Sequence, residues 1–262
     1  MLIQAGKTRV LLDAGIPLVK LKKRLSRLKI APGGLDAVLL THEHGDHTRS
    51  ACSLSRTYGV PLIANTATLE ALPDRHIVRD FITMDTGSTL PIGDLIIESF
   101  STSHDAAEPV GYNIYHPEGK ISYVTDTGVA GSALLDRMEG ANLAIIEANY
   151  DHDRLMAGPY PRSLKDRISG ELGHLSNEAA AGLILSHAST GQATTFWLAH
   201  LSRTNNTPRM ARRHVQRRLS AERCTNAVVD VALRDVASLT WRPRMGGVQR
   251  SLFGGWSDGV VE

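Results

Sequence analysis

The chain has 262 residues, 42% of them hydrophobic, which is long enough to bury one large core and ordinary for a globular protein. Its 29 Lys and Arg against 27 Asp and Glu leave a net charge of +2, so no whole-molecule field singles out a polyanion as partner. Cys52 and Cys224 stand alone and exclude a disulfide framework; no apolar run reaches the ~20 residues of a membrane span, and no signal peptide opens the chain, so a cytoplasmic protein without membrane contact is expected.

In chain order, Leu2-Ile3-Gln4 reads as the middle of a strand and Thr8 to Asp13 as another. Leu18, Leu21, Leu25 and Leu28 recur at helical spacing, with Lys20, Lys22, Lys23, Arg24, Arg27 and Lys29 between them. That pattern predicts an amphipathic helix with a basic outer face, either solvated or phosphate-binding, closed by Pro32-Gly33-Gly34. The apolar run Ala37 to Leu40 is a buried strand, and it delivers Thr41-His42-Glu43-His44-Gly45-Asp46-His47. Three imidazoles and a carboxylate within six residues behind a strand predict a first-row metal site. His42 and His44 converge on one ion if the chain curls at Gly45, which leaves Asp46 and His47 for a second ion on the next turn.

Further along, a helix is expected over Thr48 to Tyr58, a strand over 60–64 and a short helix over 66–72. Leu95 to Phe100 is a strand leading to His104. Val110 to Tyr115 and Lys120 to Thr125 form a hairpin closed by Asp126. A helix over Ser132 to Met138 precedes the strand Leu143 to Glu147. Asn177 is placed as the N-cap of an Ala-rich helix reaching His187. The strand Thr194 to Ala199 delivers His200, and Thr207-Pro208 opens a basic helix reaching Leu219. Strands over 227–231 and Ser238 to Trp241 follow. No linker divides the pattern, so residues 1–243 are expected as one α/β domain and 244–262 as a loose tail.

His42-x-His44-x-Asp46-His47 resembles the signature of the metallo-β-lactamase superfamily. The resemblance implies a four-layer αββα sandwich with two divalent ions, zinc or manganese, at one edge. It implies that His42, His44 and His104 hold the first ion, that Asp46, His47 and His200 hold the second, and that Asp126 bridges them. Gly173-His174-Leu175-Ser176-Asn177 and His200-Leu201-Ser202-Arg203 resemble the nucleic-acid-processing members, in which a histidine at a helix start assists the leaving group. His174 is the matching position here, and a helix N-terminus suits a phosphate oxygen. Glu147 to Asp151, Gly158 to Pro161, Leu164 to Ile168 and His200 to Pro208 look like the YycJ/WalJ-type bacterial proteins, associated with exonuclease activity on double-stranded DNA.

The implied activity is a metal-dependent phosphodiesterase, most specifically a DNA exonuclease, with Asp46, Asp126 and His174 as catalytic groups. Asn177, Arg203, Arg209 and Arg213 are the candidate substrate contacts, the last two within a basic run just beyond His200. The 21 residues between His104 and Asp126, and the 73 between Asp126 and His200, leave no room for the substrate arm or extra domain of larger relatives. Relatives of this type begin with one more strand and a Ser-Gly-Ser-Ser-Gly-Asn turn, so the expectation is either an upstream segment that encodes them or a first sheet that lacks its first strand. Two other readings fit the same residues: a hydrolase of small esters, lactones or thioesters on the same fold, and a non-catalytic metal-binding partner protein. Oligomeric state is not encoded in any motif.

Overall fold

The computed structural model describes residues 1–243; the expected tail, 244–262, lies outside them. A hairpin of β1 (Leu2–Ala5) and β2 (Thr8–Leu12) is followed by α1 (Leu18–Arg27) and β3 (Ala37–Leu39). The short helices α2 (Gly45–Thr48) and α3 (Ala51–Tyr58) lead to β4 (Leu62–Ala64), α4 (Thr66–Ala71) and β5 (Phe81–Thr83). A meander of β6 (Thr89–Ile92), β7 (Leu95–Ser101), β8 (Val110–His116) and β9 (Gly119–Val124) precedes α5 (Ser132–Met138) and β10 (Leu143–Glu147). Then come α6 (His152–Ala157), α7 (Arg162–Ser169), α8 (Asn177–Ala188), β11 (Thr194–Ala199), α9 (Pro208–Ala221) and β12 (Ala227–Val231).

Two sheets result, one ordered β1-β2-β3-β4-β5 and the other β12-β11-β10-β9-β8-β7-β6. Alternation along the strands decides which residues face which layer. Ala37 and Leu39 of β3, with Leu143 and Ile145 of β10, point into an apolar layer between the sheets that also takes in Val10, Leu12, Ile97, Tyr112 and Ile114. Val38 faces the other way, into a cluster with Leu21 and Leu25 of α1 and Leu54 of α3. On the far side, Ala144, Ile146 and Phe196 pack under Ala180 and Ile184 of α8 and Val215 and Leu219 of α9. Three apolar layers separate four structural ones, which is the αββα sandwich expected.

The topology also makes one functional rim. β2 to β5 run parallel, and β9 to β12 run parallel. β7 and β9 are both antiparallel to β8 and so share a direction. The loops after β7, β9, β10 and β11 therefore leave from one edge of their sheet.

Several boundaries differ from expectation, each for a local reason. The basic helix ends at Arg27, with Lys29 in the left-handed region at φ 58°, and Pro32–Gly34 forms a separate 3-10 turn. The helix after the motif breaks into α2 and α3 because Ser50 turns to donate to the Ile16 carbonyl. Residues 238–241 form no strand: the apolar ring of Trp241 packs against the layer between the sheets instead. β5 and β6 escape the sequence pattern because they are short, exposed edge strands, and β6 carries Pro91, which only an edge tolerates.

Candidate metal centre and cleft

The motif loop is held from beneath by the end of β2. The Asp13 carboxylate accepts from the Thr41 backbone and side chain and lies 2.8 Å from His47 Nδ1. Ala14 donates to the His47 carbonyl at 2.7 Å, and Ser50 donates back to Ala14 at 2.9 Å. This lacing works only because position 15 has no side chain. A Cβ on Gly15 would fall 1.4 Å from the Asp46 carbonyl oxygen and 2.9 Å from the His47 nitrogen. Gly45, expected to permit the bend, is the first residue of α2 with open space around it, so the close approach belongs to Gly15. Gly15→Ala should therefore lower stability by about 1–3 kcal/mol, the range of overpacking, and weaken metal retention with it. Thermal melting with and without chelator measures both, and an unshifted curve would show that the loop gives way freely.

Five histidines and two aspartates gather above this base. Ligand atoms of His42, His44 and His104 come within 4.8 Å of one another, as do those of Asp46, His47 and His200. Asp126 joins the two sets: its Oδ2 is 3.2 Å from His47 Nε2 and its Oδ1 is 3.7 Å from His104 Nε2. The fold thus brings together all seven residues named from the sequence. Asp13, Asp126 and His200 sit at positive φ of 55°, 58° and 55°, a conformation that costs a non-glycine residue about 1–2 kcal/mol. Each stands just past the end of a strand, where the sheet holds it in place.

The donor set fits divalent cations. His42 Nδ1 meets Thr41 Oγ1, His47 Nδ1 meets Asp13, His104 Nδ1 meets the Gly173 carbonyl, and His200 Nδ1 meets Glu147 Oε1 at 2.6 Å. Acceptors at Nδ1 keep the proton there and turn the Nε2 lone pairs toward the centre, the usual outer support of a ligating imidazole. His42 Nε2, His47 Nε2 and Asp126 Oδ2 are buried and find no hydrogen-bond partner among the described residues. Orphaned buried polar atoms cost roughly 1–3 kcal/mol each, a penalty that a shared cation removes.

Electrostatics divide the centre: burial resists protonation of His47 and His200, but neighbouring carboxylates outweigh it and raise their pKa, so a cation binding there displaces their Nε2 protons. Burial pushes the His42 imidazole down to about 2, with the neighbouring His47 adding to the effect, so it stays neutral and able to ligate. For Asp13, burial favours the acid but contact with His47 outweighs it and holds the pKa low. A hydrogen bond from His200 keeps Asp46 well below the usual carboxylate range. Glu147 is wholly buried, yet His174 and His200 together hold its pKa well below normal. Three ionised carboxylates under a ring of imidazoles form a cation trap.

The centre opens into a cleft of about 440 Å³ lined by His44, Asp105, Asp126, Tyr160, Arg167, His174, His200, Arg203 and Arg234. His174 lies on its wall, but not at the start of a helix. Ser176 is the N-cap of α8, accepting from Ala179, while Asn177 donates its backbone N–H to Tyr150. His174 precedes the cap by two residues, and its Nδ1 lies 2.9 Å from Glu147 Oε1. Burial resists its protonation, but Glu147 outweighs burial and raises its pKa.

The expected substrate contacts divide. Arg203 lines the cleft, 3.2 Å from Asp235. Asn177 is 1% exposed and exchanges amide hydrogen bonds with Asn206, so it faces the interior rather than a ligand. Arg209 and Arg213 are exposed on α9, whose apolar stripe packs inward, and neither lines the cleft. Their neighbours Arg212 and Arg218 pair with Asp230 and Glu178. Glu147 and Asp13 were not named as site residues. Their signal was available: a carboxylate ending a wholly apolar strand must find a partner when buried. Arg167 and Arg234 gave no such signal.

Residues 8–201 match the family described as Beta-lactamase superfamily domain. Among characterised relatives, the chain is 33% identical over 218 residues to Exodeoxyribonuclease YycJ of Bacillus anthracis, covering 81% of each chain. It is 35% identical over 215 residues to Exodeoxyribonuclease WalJ of Streptococcus pneumoniae, covering 80% of this chain and 79% of that one. The metallo-beta-lactamase fold protein YhfI from Bacillus subtilis superposes with a TM-score of 0.66 over 88% of this chain and 87% of that one, at 20% identity, a likeness of fold alone. Among the described residues, no helix is long and apolar enough to cross a membrane. With the sandwich, the converging histidines and this match over most of its length, the chain belongs to the beta-lactamase superfamily.

Proposed function

We propose that this protein is a metal-dependent phosphodiesterase that removes nucleotides from the ends of double-stranded DNA. In this reading His42, His44 and His104 hold one divalent ion, Asp46, His47 and His200 hold a second, and Asp126 joins them; zinc or manganese suits such nitrogen and oxygen donors. Ions held there supply Lewis acidity, lowering the pKa of water and offsetting charge on phosphoryl oxygens. Asp46, whose carboxylate is the most open of the set, orients the attacking water. His174, fixed through Nδ1 by Glu147, offers Nε2 to the departing oxygen and donates its proton there.

The observation that carries this reading is His174 held by Glu147 beside the ligand sets: it belongs to neither the His42, His44 and His104 group nor the Asp46, His47 and His200 group, although its ligand atoms also gather with those of Asp126, Glu147 and His200. The exodeoxyribonucleases among its relatives supply the choice of DNA. A small lactone or thioester would want an apolar pocket, whereas this cleft is lined by Arg234 and by Arg167 and Arg203, which pair with Asp105 and Asp235, a charged lining that suits a polar substrate. His174→Ala should keep its metals and lose roughly 100-fold or more in duplex hydrolysis, the contribution of general acid catalysis. The loss should shrink for a nitrophenyl phosphodiester, whose leaving group needs no proton. Full duplex activity in His174→Ala, or lactone hydrolysis dominating in the parent, overturns the reading.

A further inference from the structure

Among the described residues, the densest run of cations without ion pairs lies outside the cleft, on α1 and the turn after it. Lys20, Lys22, Lys23, Arg24, Arg27 and Lys29 occupy ten consecutive positions that contain no acidic residue. All but Arg24 are exposed. Lys22 lies 5.7 Å from the Tyr58 ring centroid, and among the described residues none of the six forms an ion pair. The contrast with α9 is sharp, since Arg212 and Arg218 there are paired with carboxylates. Lys22, Lys23, Ser26 and Lys29 also line a shallow groove with Ile30, Ala31 and Pro32.

Helix stability does not account for this pattern. Cations in the last turn, Arg24 and Arg27, favour the helix dipole, but the first turn carries no acid and holds Lys20 where a cation is unfavourable. Like charges this close repel, so the folded state bears an electrostatic penalty that a polyanion would relieve. The helix is also rooted at the metal centre. Residues 13–17 connect it to β2, and Asp13, Ala14 and Ile16 are bonded to His47 and Ser50 beside the motif.

We infer that the basic face of α1 is a second nucleic-acid site, which holds the phosphate backbone of the duplex whose end lies in the cleft. The inference rests on the nuclease reading for its substrate. A ten-residue helix is about 15 Å long, and that length of duplex carries about nine phosphate charges, one per ~1.7 Å. Five cations on such a span, with Lys29 just past its end, bind by charge and without regard to sequence, which is what an enzyme shortening any duplex end requires.

The test uses the full chain loaded with manganese and a blunt, end-labelled duplex of about three helical turns, roughly 30 base pairs. Replacing Lys22, Lys23, Arg27 and Lys29 together by glutamine should weaken duplex binding at least about tenfold near 0.1 M salt and flatten the log–log salt slope by about 3. Hydrolysis of bis(4-nitrophenyl) phosphate and the melting temperature should not change, because these side chains touch neither the centre nor the core. A second variant, with the three lysines replaced by arginine, should bind as the parent does. Unchanged affinity and slope in the glutamine variant overturn the inference. So does loss of binding to phosphatidylglycerol vesicles with duplex binding intact, which would make the face a lipid-surface site. Duplex held through α1 but never cut would leave the inference standing and remove the nuclease reading.

Discussion

Asp126→Ala should lose metal and hydrolysis together. Its carboxylate reaches both ligand sets, 3.2 Å from His47 Nε2 through one oxygen and 3.7 Å from His104 Nε2 through the other. Its side chain is buried, so no water can take its place without rearrangement. Metal catalysis is worth several kcal/mol of barrier, and each 1.4 kcal/mol is tenfold, so turnover should fall by at least about 1000-fold. Elemental analysis of protein purified without chelator should show fewer than the two ions expected of the parent. Asp126→Asn, which keeps the shape but not the charge, should retain part of the metal and little of the activity. Full metal content and turnover in the alanine variant would take Asp126 out of the site.

Glu147 should matter almost as much, for a different reason. It is 0% exposed and meets five groups: His174 Nδ1 at 2.9 Å, His200 Nδ1 at 2.6 Å, the Asn149 side-chain amide at 3.4 Å, and the backbone N–H groups of Leu175 and Thr127. Glu147→Ala would strand two imidazoles and two backbone amides, and breaking a buried charged pair costs about 3–5 kcal/mol. A large drop in unfolding free energy is the expected result. Glu147→Gln keeps the volume but has one oxygen for two sides, so its amide NH2 faces either the two imidazoles at Oε1 or the two backbone N–H groups at Oε2. It should fold, yet lose about 10–100-fold in metal affinity or activity, as supports of ligating histidines do. Denaturant unfolding and metal titration separate the two outcomes. A glutamine variant with unaltered metal affinity and turnover would mean that Glu147 serves the fold alone.

The basic face of α1 and the arginines of α9 look alike as sequence, each a run of cations at helical spacing. Sequence reading left both faces open as solvated or phosphate-binding, and named Arg209 and Arg213 of α9 as candidate contacts. The fold separates the two runs by what stands opposite them. Asp230 of β12 and Glu178 of α8 come to α9 from distant parts of the chain, whereas no described carboxylate pairs with α1. A cation's availability depends on neighbours that helical periodicity does not encode.

The sequence by itself determined the α/β alternation and the cluster His42, His44, Asp46 and His47, because both rest on short-range patterns, while the sandwich and the convergence of His104, Asp126 and His200 were implied by the resemblance to the superfamily. Strand alternation decides which side of Val38 or Ile145 is buried, and a strand end followed at once by His42, His44, Asp46 and His47 leaves the chain little freedom to place them apart. Only the tertiary structure decided how those residues are held and what they face. Glu147 serves His174 and His200 from 27 and 53 residues away, and Asp13 serves His47 from 34. Ser176 rather than Asn177 caps α8 because Asn206 claims the Asn177 side chain. The Asp13 partnership follows from β2 and β3 being neighbours in the first sheet, and those of Glu147 from β9, β10 and β11 being neighbours in the second. Hydrogen bonds and ion pairs across the fold act through distance in space, and a linear pattern carries that information only where the interacting groups are close in the chain.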